Sequence, residues 1–398
     1  MPTEEILSIE KLVYGGEGLA RLEGKVVLIP YVAPGETVRA EVERVKNDLF
    51  RGRLLEVLSP AASRVPAPCP YFQRCGGCHY QHATYADQLA AKRAILEEEL
   101  RRLGKIAPPD EIAVIASEPW GYRNRVQLRV EKGRLGYLEM RSHKLCGIAQ
   151  CPIASPKLNQ TIDILNHMLR DPKWPRMVRA IELFTDENSV QLNAIETDRP
   201  VARRFFDWCG ENIPGLVEGA LDYNGQYRVS RGSFFQVNRF LLHQLVEAAV
   251  EGAEGDSAFD LYAGVGLFAP SLARKFRHVT AVESGSGAVR DLQFNAERAG
   301  LANLHAEARM VEEFLQEQER SPDFILLDPP RAGLGKTVVR RLIELQPRQV
   351  SLVACDPATL ARDLSALVTG GYRMMRMAMV DLFPQTYHLE TVVLLQRT

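Results

Sequence analysis

Short apolar runs alternating with polar residues open the chain. Ile6-Leu7-Ser8-Ile9, Gly18-Leu19-Ala20-Arg21-Leu22, Val26-Val27-Leu28-Ile29 and Thr37-Val38-Arg39-Ala40-Glu41-Val42 carry the pattern across residues 4–59. Gly15-Gly16, Gly24 and Pro34-Gly35 separate them. A period of two broken by such turns predicts a small antiparallel barrel over residues 1–60. Pro60 to Pro70 then reads as a Pro/Ala-rich linker. Further on the period changes, with Tyr85, Leu89, Leu96, Leu100 and Leu103 on one helical stripe. It predicts an amphipathic helix over 83–104, started by Thr84 with Asp87 and stopped by Gly104. A mixed, strand-rich stretch continues to about Tyr227. From Asn238 onward helical segments alternate with β-branched runs, the pattern of a doubly wound α/β domain. The chain thus divides into units 1–60, 61–227 and 228–398, with the 83–104 helix expected against the last.

Composition narrows the class. At 398 residues, 46% apolar and 25% charged, the chain is an ordinary globular protein with room for two or three domains. No run of about 18 apolar residues exists, so no membrane partner is expected. Met1 to Glu5 shows no export signal, and seven cysteines, an odd number, suggest metal ligands and reactive thiols rather than disulfides. A cytoplasmic enzyme without an evident obligate protein partner fits. A net charge of −1 gives no global push toward nucleic acid. Locally, Trp120 to Lys144 holds seven basic residues against two acidic ones, interleaved with Trp120, Tyr122 and Tyr137. That strip suits RNA, or is a solvated strand face.

Three places carry candidate chemistry. Cys355 ends the apolar run Gln349 to Ala354 and precedes a helix start, with Asp356 as N-cap and Pro357 at the first helical position. A cysteine there is a nucleophile at the carboxyl end of a strand, or a buried structural thiol. Ala258 to Tyr262 reads as a strand leading into Gly264-Val265-Gly266-Leu267-Phe268-Ala269, followed by a helix to about Phe276 and a second strand ending at Glu283. Asp260 would repel a dinucleotide's pyrophosphate but suits the positively charged end of S-adenosylmethionine. Glu283 suits a ribose diol in either case. Asp328-Pro329-Pro330 follows another strand as a rigid wall. Cys69, Cys75 and Cys78 form a C-x5-C-x2-C run needing a fourth ligand. Cys151 or Cys146 would complete an iron–sulfur cluster, and His79 or His82 a zinc site.

With these motifs in view, the chain resembles the S-adenosylmethionine-dependent RNA uracil-5-methyltransferases over almost its whole length. Ala354-Cys355-Asp356-Pro357 to Asp363 is similar to their nucleophile signature, and Phe383-Pro384-Gln385 to Val392 to the motif with the general base, Glu390. Ser233 to Asn238, Asp260 to Gly266, Glu283 and Asp328 to Gly333 match their cofactor motifs. The resemblance implies a class I methyltransferase domain, an OB-like RNA-binding TRAM barrel, and a small mixed α/β iron–sulfur domain. It implies Cys355 and Glu390 as catalytic residues. It places Gln236, Asp260, Tyr262, Gly264, Glu283 and Asp328 at the cofactor, and a 4Fe–4S cluster on Cys69, Cys75, Cys78 and Cys151. It also implies 5-methyluridine formation in RNA, 23S rRNA rather than tRNA. Leu267, Ala263 and Asp356 depart from residues frequent in the family. Methylation of an amino nitrogen, and an RNA-binding iron–sulfur protein without catalysis, are the rival readings.

Overall fold

The computed structural model describes residues 2–46 and 48–398. Its N-terminal unit is one six-stranded sheet, ordered Thr3–Ser8, Thr37–Lys46, Leu49–Ser59, Lys25–Pro30, Glu17–Leu22, Lys11–Val13. Alternate residues such as Leu7, Val27, Ile29, Val38 and Ala40 turn inward as a separate core. All four expected runs are strands. The Leu49–Ser59 strand was not anticipated, because charged residues and Gly52 interrupt its apolar pattern. Gly52 permits a close crossing: a Cβ there would lie 2.7 Å from Ile29 Cγ1.

Thr84 does cap the next helix, Tyr85–Glu99, its Oγ1 accepting from the Asp87 N–H at 3.3 Å. A π-helical turn, Leu100–Gly104, extends it, and left-handed Lys105 ends it. Gly104 is therefore not the stop; it lets the helix approach Ala361, whose carbonyl would lie 2.9 Å from a Cβ. The buried face also differs from the expected stripe. It carries Gln88, Lys92, Ile95, Leu96 and Glu99, while Leu103 is 44% exposed. Leu96 and Leu100 join the core of the last unit.

The central unit is a second six-stranded sheet, ordered Leu145–Gly147, Arg134–Leu138, Arg125–Glu131, Val178–Thr185, Val190–Thr197, Leu216–Val217. The helix Pro156–Met168, capped by Ser155, contributes Leu158, Ile162 and Leu165 to its core. The Trp120–Lys144 strip lies in this unit and is divided: Arg129, Lys132, Arg134, Arg141 and Lys144 are exposed, whereas other members turn inward. Tyr122 is fully buried, the Tyr137 hydroxyl is buried, and Arg125 packs 4.2 Å over the Phe184 ring. The sheet draws its aromatic residues inward, which spacing alone did not reveal.

The last unit is built on β1 (Ser257–Leu261), β2 (His278–Glu283), β3 (Leu304–Ala308), β4 (Phe324–Leu327), β5 (Gln349–Ala354), β6 (Tyr372–Val380) and β7 (Glu390–Arg397). Their order is β3-β2-β1-β4-β5-β7-β6, with Ala113–Ile115 added beside β6. Strands β1 to β5 are mutually parallel, whereas β7 runs antiparallel to both neighbours. Parallel strands covered on both faces read as unbroken apolar runs, as in Phe324–Leu327. The hairpin Leu221–Tyr223/Tyr227–Val229 puts Leu221, Tyr223 and Val229 into this unit's core. The helix after the glycine turn is shorter than expected, Ala269–Ala273. No helix among the described residues is long and apolar enough to cross a membrane.

Candidate active site

Strand pairing brings the two most specific motifs together. β5 and β7 pair Val353 with Val392 and Ala354 with Thr391. One step further along that register, Cys355 faces Glu390. Asp356 fixes the turn after Cys355, its Oδ1 accepting from the N–H groups of Ala358 (3.1 Å) and Thr359 (2.9 Å). Burial, then the charges of Glu390 and Asp328, push the Cys355 thiol up to about 12, with Arg331 pulling the other way. The helix N-terminus expected to favour thiolate is outweighed. Glu390 is 3% exposed, and burial followed by Asp328 holds its carboxyl well above the usual range. Burial raises Asp328 to about 7. Burial thus favours the protonated form of both acids. A crevice of about 10 Å³ lies between Pro329, Arg331, Ala354, Cys355 and Asp356. It has room for little more than one water, so a planar ring requires the walls to part.

The expected cofactor residues gather at the carboxyl ends of β1, β2 and β4. Asp260 is fully buried and neither oxygen has a well-formed hydrogen bond, although the Ala269 N–H lies near enough to oppose the rise in pKa that burial and then Asp328 impose. An orphaned buried carboxyl group beside a glycine turn is a receptor for a cation. Tyr262 is not part of the strand as expected. It takes a left-handed conformation (φ 63°), as do Gly264 (55°) and Gly266 (88°), because β1 must turn sharply there. Glu283 accepts from the N–H groups of Gly264 (3.1 Å) and Gly285 (2.7 Å), which aims its carboxylate at the turn and leaves lone pairs for a diol. Gln236 Nε2 donates to Asp328 at 3.4 Å. Leu267 is buried in the core and offers no polar contact.

The segment Asp381 to Leu389, leading into Glu390, is held from every side. Lys92 Nζ donates to Asp381 at 2.6 Å and to the Phe383 carbonyl at 3.0 Å. Gln88 exchanges hydrogen bonds with Gln385, while the His79 and Tyr80 N–H groups donate to the Gln385 carbonyl. Tyr122 donates to Pro384 at 3.0 Å and Asn238 to Leu382 at 3.1 Å. Tyr14, from the N-terminal barrel, stands edge-on to Tyr387 and its hydroxyl is 3.5 Å from the Cys355 carbonyl. Sequence reasoning named none of these as site residues. Arg331 was quoted within its motif without a role, yet it is the cation that acts on Cys355, Glu390 and His388. The polar pair Gln88 and Lys92, one turn apart on a helix, was the overlooked signal.

Five cysteines of the central unit, Cys69, Cys75, Cys78, Cys146 and Cys151, lie within electrostatic reach of one another, whereas Cys209 is buried apart from them. Cys75 senses Cys146, Cys151 and Cys69, and Cys78 senses Cys151 and Cys75; burial pushes both thiols up to about 12. The buried Tyr137 hydroxyl lies near Cys151 without a hydrogen-bond partner of its own, and Tyr137 and Arg123 both favour the Cys151 thiolate. Among the described residues, no group of three or more His, Cys, Asp or Glu stands close enough to hold a metal ion. Thiolates around an iron–sulfur cube stand further apart than ligands of one ion, so convergence without contact suits that group better. His82 stacks on Phe72 with both ring nitrogens buried and unpartnered.

Comparison with known proteins agrees with this geometry. A model of the tRNA (uracil-5-)-methyltransferase family matches residues 217–398, and a TRAM-domain model residues 4–55. The chain is 32% identical to an uncharacterised RNA methyltransferase of Aquifex aeolicus, across 98% of each chain. It is also 32% identical to the 23S rRNA (uracil(1939)-C(5))-methyltransferase of Aeromonas hydrophila, across 98% of this chain and 96% of that one. The tRNA (uracil-54, C5)-methyltransferase of Pyrococcus abyssi, solved with S-adenosyl-L-homocysteine, superposes with a TM-score of 0.75 at 26% identity, covering 98% and 99%.

Proposed function

The chain belongs to the RNA (uracil-5-)-methyltransferase family, and we propose that it methylates C5 of a uridine in 23S rRNA through a transient bond from Cys355 to C6. The observation that carries this reading is the β5–β7 register, which sets a half-buried thiol opposite a buried carboxyl group. Uracil C5 is a weak nucleophile. Addition of the Cys355 thiolate to C6 moves the ring's π electrons toward C5 and O4, so that C5 becomes electron-rich. Bound S-adenosylmethionine supplies the electrophilic methyl group. Glu390 then removes the C5 proton; the C–H electron pair re-forms the C5–C6 double bond and expels the thiolate. Arg331 lowers the cost of the thiolate. Asp260, Glu283, Gln236 and Asp328 bind the cofactor, with Asp260 and Asp328 ionising as its positive charge arrives. Stacking within a duplex hides C5 and C6 from the Cys355 thiol, so the target uridine enters flipped out or from a loop.

Cys355→Ala is expected to bind S-adenosylmethionine but form no covalent complex with 5-fluorouridine-containing RNA in intact-mass spectra. Glu390→Gln is expected to accumulate that complex. Turnover by the Cys355→Ala protein would end the covalent mechanism. Methylation of an amino nitrogen would leave both residues idle. Mapping 5-methyluridine in rRNA and tRNA from a deletion strain decides between the two RNA classes.

We assign a 4Fe–4S cluster to Cys69, Cys75, Cys78 and Cys151, supported by the converging thiols and by Tyr137 and Arg123 beside them. The cluster would fix the fold of the Cys69–His82 loop; methyl transfer itself is redox-neutral. Metal analysis separates iron from zinc. Cys151→Ser is expected to lose the iron and Cys146→Ser to keep it, and the reverse result would reassign the fourth ligand.

A further inference from the structure

The Trp120–Lys144 strip turns its aromatic residues inward, and a second concentration of basic and aromatic residues lies elsewhere on the central unit. A cleft of about 990 Å³ opens between the Pro172–Arg179 segment, the Asp198–Ala202 connection and the helix Arg203–Asn212. Trp174 and Trp208 line it, with Phe205 edge-on to Trp174 at 5.3 Å. Its acidic residues are mostly engaged: Asp198 pairs with Arg179 at 2.8 Å and Asp207 with Arg203 at 3.7 Å. Lys173, Arg176, Arg199 and Arg204 make no ion pair among the described residues, and face only Glu211 as a further acid. Trp174 is 7% exposed, yet its indole N–H has no hydrogen-bond partner. Such a donor has hydrogen-bonding capacity left for an ordered water at the floor of the cleft. A second hollow of about 460 Å³, lined by Lys132 and Arg170, shares Trp174, Arg176 and Arg179 with the cleft. The two form one trough.

We propose that this trough binds a single-stranded segment of the RNA substrate at a distance from the reacting uridine. Unpaired guanidinium groups suit phosphates, and Trp208 offers a face for a base. Position argues for a remote segment. The opposite end of this sheet meets the cofactor region, where Asn124 donates to the Gln236 carbonyl at 3.1 Å. Seven steps along Val178–Thr185, at about 3.3 Å each, set the trough roughly 23 Å away. The inference rests on the RNA-methyltransferase reading, but its test does not require turnover.

Filter binding would compare the wild type with the triple variant Arg176→Glu/Arg199→Glu/Arg204→Glu, and with Trp208→Ala. The probes are an in vitro 23S rRNA transcript, unmodified tRNA, and a target-loop oligonucleotide of roughly eight nucleotides. For the long RNA that the wild type prefers, the triple variant is expected to bind at least about tenfold more weakly. Its log–log salt slope should shrink by about 0.7 per lost phosphate contact, or roughly 2 for three. Trp208→Ala should weaken binding without changing the slope. Affinity for the short oligonucleotide and for S-adenosylmethionine, with the melting temperature, reports that the fold is intact. Unchanged long-RNA affinity and slope in a folded triple variant would overturn the proposal, and would leave the trough to a protein partner. Wild type that binds RNA through the trough but never methylates it would instead refute the function above.

Discussion

Replacing Lys92 by methionine tests how the segment before Glu390 is held. Lys92 and Asp381 are both fully buried and their charged atoms lie 2.6 Å apart. Asp381 Oδ2 already has no partner, so Lys92→Met strands a carboxylate in the core. The ammonium makes two hydrogen bonds, to Asp381 and to the Phe383 carbonyl. At about 1.5–3 kcal/mol for each bond involving a charged group, their loss is worth roughly 3–6 kcal/mol. Breaking one partner of a buried ion pair gives a similar figure, about 3–5 kcal/mol. The assay is urea unfolding followed by tryptophan fluorescence, with kcat on RNA measured in parallel. Lys92→Met should lower stability by about 3–5 kcal/mol and reduce kcat, since Glu390 sits at the end of the released segment. Lys92→Met/Asp381→Leu should recover most of the stability, because replacing a buried pair by apolar groups is often near neutral. A single variant costing under about 1 kcal/mol, or a double variant as poor as the sum of both singles, would refute the reasoning.

Other consequences are testable with the same protein. The raised Cys355 thiol gains nucleophilicity on losing its proton, so single-turnover adduct formation should quicken by about tenfold per pH unit from neutrality upward; a flat profile contradicts the burial argument. Asp328 is raised from 3.8 to about 7 and Asp260 well above its usual value, so the native state holds more protons than the unfolded chain. Stability without cofactor should therefore be fullest near pH 4 and fall as pH rises toward 7, whereas S-adenosylmethionine, which needs ionised carboxylates, should bind more tightly over that rise, as calorimetry at pH 6 and 8 can show. Tyr14→Phe removes a hydroxyl 3.5 Å from the Cys355 carbonyl; at about 1 kcal/mol, kcat should fall roughly fivefold with RNA affinity unchanged, and an unchanged kcat removes Tyr14 from the site.

What the sequence disclosed and what it concealed divide along a physical line. Parallel strands buried on both faces read as apolar runs, so Phe324–Leu327 and Gln349–Ala354 were visible, as were the carboxylates and the thiol at their ends. The positive-φ glycines of the cofactor turn and the Asp356 cap are local, and residue type alone announces them. Long-range side-chain partnerships are not local. Lys92 lies 289 residues from Asp381, and nothing in either neighbourhood marks them as a pair. The Trp120–Lys144 strip was half legible for a related reason: period and charge show which residues share a strand face, but not that another layer covers Tyr122 and Arg125 while Arg129, Arg134 and Arg141 stay exposed.

Those long-range contacts explain why the three units form one active site. Leu12 and Tyr14 from the barrel, Tyr80 from the cysteine loop, Ala91 and Ile95 from the Tyr85–Glu99 helix, and Tyr387 and Leu389 beside Glu390 pack as one small core. Gly16 of the barrel touches His79, where a Cβ would come within 2.9 Å of the ring. None of these segments could bury its apolar residues alone at this joint. Displacing the barrel would expose Leu389 and loosen Tyr387, both next to the carboxyl group opposite Cys355. The barrel and the cysteine loop therefore bear on the proposed chemistry through position: their docking helps fix Tyr387 and Leu389, next to the carboxyl group opposite Cys355.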